Sequence, residues 1–183
     1  WTDAYSPDGE VVSRAIYYLP AMPSLYLLDA DVYQRVMVFC NTKGNTERVT
    51  KLLQMRGVDA QCIHGDIPQD KREKVMARFR RGELRVFVST DVAARGIDVD
   101  DVEAVFNFDI PDENEYYLHR IGRTGRAKKK GVAWSIIGNF PEKAKLDEIA
   151  KFSQYTIRPM LLGTDGSLTE QVVAAPVVKK RFR

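Results

Sequence analysis

The sequence predicts an α/β chain, a three-layer α/β/α sandwich with helices on both faces of a mostly parallel sheet. Three observations carry that expectation. Between Arg35 and Phe152 short unbroken apolar runs recur, as strands covered on both faces require. Segments of helical period separate them, which implies parallel pairing through right-handed crossovers. The composition, 44% apolar and 29% charged over 183 residues, is that of one globular domain with room for appendages. It excludes wholesale disorder and collagen-like repetition. No stretch approaches the ~18 unbroken apolar residues of a spanning helix.

Residues 1–10 are turn-rich and read as a linker, and Val11 to Leu19 reads as an added edge strand. The stretch from Leu19 to Arg35 carries Pro20 and Pro23, which leaves a helix there in doubt. Val36-Met37-Val38-Phe39 forms the first run of the repeating pattern. From Asn45 to Arg56 the residues Val49, Leu52, Leu53 and Arg56 share one helical side, and Gly57 can close that helix. Ala60 to Ile63 follows as a strand. Pro68 is expected as a first helical residue, with Val75, Met76 and Phe79 as the apolar stripe before Gly82. Val86 to Val88, Val102 to Phe106 and Val132 to Ile137 complete the strands. Asn139 caps a last helix whose buried side is expected at Leu146, Ile149, Ala150 and Phe152. The domain is therefore read as 11–163, and Thr164 to Arg183 as a mobile basic extension.

In such a sheet, ligands bind on the loops beyond the carboxyl ends of the strands. Two cysteines and two histidines at unrelated spacings give neither a disulfide framework nor a zinc signature, and no metal ligand is assigned. A net charge of +3 is mild, but six basic side chains and no acid lie between His119 and Lys130. Concentrated positive charge is the footprint of a polyanion partner. Lys128, Lys129 and Lys130 themselves read as a solvated turn.

Three constellations fall where ligands are expected. Cys40 to Gly44 is a polar turn feeding a helix start, Ser89 to Val99 follows the third run, and His119 to Arg126 is arginine-rich. Small hydroxyl residues at a helix start can hold a phosphate through backbone N–H groups. Arginines three apart on one face can grip a phosphate bidentately.

On these residues the chain resembles the second, C-terminal RecA-like domain of a DEAD-box ATP-dependent RNA helicase, of superfamily 2. Val36 to Lys43 resembles the family's motif IV, Gln69 to Arg72 its Q-x-x-R element, Thr90 to Asp98 its motif V, and His119 to Arg126 its motif VI. The likeness spans roughly residues 33 to 160. It implies a RecA-like, P-loop NTPase-type fold. Neither a G-x-x-x-x-G-K-[ST] phosphate loop nor an Asp-Glu-Ala-Asp sequence is present. ATP with Mg²⁺ would then be held mainly by an N-terminal RecA-like domain outside this sequence.

The resemblance implies roles residue by residue. Arg123 and Arg126 would be arginine fingers at the ATP γ-phosphate. Gly96 and Asp98 would lie at the ATP ribose, while His119 and Arg120 would couple the nucleotide cleft to the partner domain. Arg95 would join the ATP and RNA sites. Thr42, Lys43, Gly65, Gln69, Arg72 and Thr90 would face the RNA sugar-phosphate backbone without regard to sequence. Gln69 as a mere helix cap, Thr90 as a turn residue and His64 as a structural loop residue are the plain alternatives. Implied partners are RNA, the N-terminal domain of the same parent chain and protein activators, with no membrane. The implied compartment is the cytoplasm, with the nucleus as the alternative. The isolated half should not hydrolyse ATP. The competing expectations are a non-catalytic RNA- or protein-binding module, and a DNA-directed helicase of the same superfamily.

Overall fold

The computed structural model describes residues 10–17, 33–97, 99, 102–126, 129–162 and 167–170. Along them run β1 (Glu10–Tyr17), β2 (Val36–Phe39), α1 (Lys43–Met55), β3 (Ala60–Ile63), α2 (Gln69–Arg80) and β4 (Val86–Ser89). Then come α3 (Asp91–Ala94), β5 (Ala104–Asn107), α4 (Asn114–Ile121), β6 (Lys130–Ile137), α5 (Phe140–Ser153), β7 (Ile157–Leu162) and β8 (Leu168–Glu170). The strands form one sheet in the order β3-β4-β2-β5-β6-β1-β7-β8, parallel except for the β7–β8 pair.

The apolar runs are strands because both of their faces are covered. Val36 and Val38 pack with Val49 and Leu53 of α1, while Met37 and Phe39 pack with Met76 and Phe79 of α2. All four strand residues are at most 2% exposed. Each such side chain withdrawn from water contributes roughly 1.5–3 kcal/mol. On the α2 side the covering continues through Ala93 and Ala94 of α3, then Tyr117 and Ile121 of α4, then Leu146 and Ile149 of α5. Helices on both faces give the expected three layers.

Local chemistry sets the helix starts. Thr42 accepts a hydrogen bond from the Asn45 amide at the head of α1, Thr90 from the Ala93 amide at α3, and Asn139 from the Glu142 amide at α5. Glu142 reaches back past the cap to accept from the Gly138 amide at 2.6 Å, tying the entering chain to the first turn. Gly57 and Gly82, both at positive φ, follow α1 and α2.

Four expectations are corrected. The strand at the start of the chain is not at an edge: β1 lies between β6 and β7, paired in parallel with both. Pro68 is the N-cap of α2 rather than its first residue. Phe152 is 50% exposed, because only Leu146 and Ile149 of its helix face the sheet squarely. Two strands were not anticipated, β7 and β8, and β8 falls within the stretch read as an extension. The uncertain helix between Leu19 and Arg35 falls largely on residues outside those described, as do 171–183.

Candidate functional site

Parallel pairing brings the loops after β2, β3, β4 and β5 to one edge of the sheet. Thr42 and Thr90 spend their hydroxyl oxygens on capping amides, so each hydroxyl hydrogen is left to donate outward. Lys43 is half-exposed, its ammonium 2.5 Å from Asp66 in the loop after β3. That hydrogen bond holds the Asp66 carboxyl below its ordinary range. Gly65 lies under the same ammonium. A Cβ there would sit 3.5 Å from Lys43 Cε, an ordinary contact, so crowding alone does not demand glycine. Gln69 does not cap its helix, and its amide donates to Glu73 one turn on at 3.1 Å. Arg72, three residues on, is half-buried and has no side-chain ion pair among the described residues. His64 is 2% exposed, with Nδ1 accepting from the Asp66 amide and Nε2 3.0 Å from Glu47, a structural placement.

Arg120 lies elsewhere. Its side chain is wholly buried within this chain. Tyr117 and Ile121, at helical spacing on the inward face of α4, carry it into the interior. Nε and Nη2 grip both oxygens of Asp91 at 2.7 Å, Nη1 donates to the Asp109 carbonyl at 2.6 Å, and Nη2 also reaches Asn41 Oδ1 at 2.8 Å. The guanidinium lies over the Phe39 ring, 5.3 Å from its centroid. One side chain thus ties together the ends of β2 and β5, the head of α3, and α4. A buried, unpaired guanidinium would be prohibitive, and this one has carboxylate, carbonyl and amide partners.

Asp91, Asn41 and Asp109 were not singled out from the sequence. Asp109 accepts from the Asn41 amide at 2.8 Å and from the Asn45 side chain at 3.0 and 3.1 Å, latching the loop after β2 to the loop after β5. The available signal was indirect. An arginine on the apolar side of a helix requires a buried acid.

Arg123 and Arg126 follow α4 and are both partly exposed. Arg123 Nη1 donates to the Ile97 carbonyl at 2.6 Å, pinning the segment after α3. Arg126 Nε donates to Gly122 O at 2.7 Å. Its two terminal nitrogens make no further hydrogen bond among the described residues. Arg95 is exposed and 3.5 Å from the Tyr116 hydroxyl, and the Tyr116 ring lies 6.2 Å from that of His119. A cleft of about 50 Å³ is lined by Arg95, His119, Arg120 and Arg123 with Asp91. Gly96 stands at φ 76°, a conformation that favours glycine. Asp98 lies outside the described residues.

The arginine segment is fastened from below. Thr124 Oγ1 donates to the Val102 and Glu103 carbonyls, and Thr124 bridges Val102. Gly131 of β6 packs flat against it. A Cβ at Gly131 would come within 2.3 Å of Thr124 Oγ1 and 2.4 Å of Gly125 N. Gly131→Ala is therefore expected to cost about 1–3 kcal/mol in urea unfolding and to shift the amide resonances of Thr124 to Arg126. Wild-type stability would show that the loop yields freely.

Residues 20–128 match the family described as helicase conserved C-terminal domain. The DEAD-box ATP-dependent RNA helicase CshA of Bacillus cereus is 50% identical over 111 residues, 61% of this chain and 21% of that protein. The solved DEAD box protein of Methanococcus jannaschii superposes with a TM-score of 0.73 at 37% identity, over 82% of this chain and 42% of the other. Escherichia coli DEAD-box protein SrmB, solved bound to regulator of ribonuclease activity A, gives 0.73 at 32% identity, over 81% and 89%. The chain spans about a fifth to a third of the length of the curated relatives it matches. Among the described residues no helix is long and apolar enough to cross a membrane.

Proposed function

Because the chain belongs to the helicase conserved C-terminal domain family, and is the C-terminal domain of a DEAD-box helicase, we propose that it is the second RecA-like half of an ATP-dependent RNA helicase. In the parent it completes ATP hydrolysis and one side of an RNA groove, for local duplex unwinding or remodelling of RNA–protein particles. The observation that carries this is the pair of arginines beyond α4, both partly exposed and both braced by backbone carbonyls.

Phosphoryl transfer needs positive charge at the equatorial oxygens more than it needs covalent chemistry. Arg126, held at Nε, can turn both terminal nitrogens to a γ-phosphate. Arg123, pinned at Ile97, is assigned to the same phosphate. Gly96 and Asp98 are assigned to the ribose side, and His119 and Arg95 to the contact with the other domain. The Mg²⁺ that accompanies ATP is assigned, from the family resemblance, to the N-terminal domain.

The RNA side is Thr42, Lys43, Gly65, Gln69, Arg72 and Thr90, donors suited to phosphate oxygens rather than to base edges. Arg120 joins the two sides from within, since it touches both the Asn41 turn and the Asp91 helix. The regulator held by SrmB supports protein partners as well.

The test is reconstitution. Joined to a first domain bearing the phosphate loop, this chain should give RNA-stimulated ATP hydrolysis, and alone it should give none above a buffer blank. A joined, folded protein that binds RNA without turnover would favour a non-catalytic binding module. For the RNA side, Arg72→Ala should weaken binding to all single-stranded homopolymers alike. It should also shallow the slope of log affinity against log salt by about 0.7. A base preference that survives the substitution would sink the backbone assignment.

A further inference from the structure

One groove among the described residues lies at neither of these surfaces. About 650 Å³ in volume, it runs between α1 and α2 on the outer side of β3. Its floor is Cys62 with Ile67 and Val75, and its rim carries Lys51, Lys71 and Lys74.

Three features of it point one way. First, β3 is the last strand on its side of the sheet, so one edge of its backbone has no strand partner among the described residues. The Val86 amide donates to the Asp59 carbonyl at 3.0 Å, and Ala60 and Cys62 stand in register with Val86 and Val88. In a parallel ladder that phase turns Asp59, Gln61 and Ile63 toward β4, and Ala60 and Cys62 outward. Gln54 covers the Ala60 carbonyl, its side-chain amide 2.7 Å away. The N–H and C=O of Cys62 face the groove. Second, the floor is apolar and only half-buried, which suits side chains of an added strand. Third, the charge is one-sided. Asp59 is spent on Arg78 at 3.0 Å, and Glu47, which lies 3.0 Å from His64, is the single carboxylate among the lining residues, against Lys51, Lys71 and Lys74, which have no carboxylate partner among the described residues.

We propose that this groove binds an extended acidic segment of a partner protein, which adds to the edge of β3 through Cys62, lays apolar side chains on the floor, and sets its carboxylates against the three lysines. Nucleic acid would satisfy the lysines but leave the strand edge and the apolar floor unmatched, so a peptide is the better fit. The proposal goes beyond the helicase reading and does not depend on it, since none of these lysines is among the residues assigned to ATP or RNA.

The probe is a short synthetic peptide alternating glutamate and aspartate with valine, isoleucine and phenylalanine, titrated into the full chain. Expected are amide shifts at Ala60 to Ile63, slowed hydrogen exchange at the Cys62 amide, and no binding by the same peptide with lysine in place of its acids. The exposed pair Lys71→Glu with Lys74→Glu should weaken the peptide by about tenfold or more, with the unfolding midpoint unchanged. Three results would overturn the proposal. They are an absence of shifts at β3, affinity indifferent to both charge reversals, or single-stranded RNA in place of the peptide shifting the amides along Lys51, Lys71 and Lys74.

Discussion

Alanine at Arg126, in a protein where this chain is joined to a first domain, is expected to lower ATP turnover by about 10³-fold or more. That is the lower end of what an arginine finger supplies to phosphoryl transfer, and it corresponds to about 4 kcal/mol of transition-state stabilisation. The Nε bond to Gly122 directs this side chain without using up its terminal nitrogens. ATP affinity should change much less, because adenine and most phosphate contacts are assigned to the other domain. Lysine should not restore the rate, since a point charge cannot copy a bidentate fork. Arg123→Ala should fall with it and additionally loosen the segment at Ile97, visible as faster amide exchange there. Wild-type turnover in both variants would remove the finger assignment.

The second large effect is on stability. Arg120→Ala should cost about 3–5 kcal/mol in urea unfolding, because it strands Asp91, the Asp109 carbonyl and Asn41 around an emptied site. Asp91 is itself 18% exposed, so water can reach it in the variant and the lower part of the range is expected. Lysine keeps the charge but offers neither the bidentate geometry for Asp91 nor enough donors for the rest, and should recover less than half. Asp91→Asn should destabilise by a similar mechanism from the other end. A loss below about 1 kcal/mol for Arg120→Ala would mean that the bonds seen around it contribute little.

Arg120 also marks where sequence reading stops. In a row of arginines at positions 120, 123 and 126 nothing local distinguishes the one that turns inward. Only the companions Tyr117 and Ile121, on the same side of α4, set it apart. The strands β2, β4 and β5 were legible because burial on both faces leaves an apolar run such as Val36 to Phe39. By contrast β7 was hidden by Arg158 and Pro159, since a proline argues against a strand wherever its pairing is unknown. The neighbours of β1 were equally hidden, because a strand's place in a sheet is a long-range property. Of the candidate site, the loops that carry it were readable from capping threonines and clustered charge. Asp91 and Asp109 were not, because their importance lies in what they hold.

The insertion of β1 between β6 and β7 governs the order in which this chain can fold. The half built from β3, β4, β2 and β5 draws on neighbouring stretches of chain and can assemble early. The remaining half must first bring Glu10–Tyr17 to Lys130–Ile137, across most of the polypeptide. Closing so long a loop costs about 4 kcal/mol of chain entropy before any new contact offsets it. During synthesis β1 emerges well before β6 and waits, its buried residues Ala15 and Ile16 uncovered, until β6 arrives to receive them. Slow refolding should therefore arise from the docking of β1, and a chain stopped short of β6 would leave that strand without a seat.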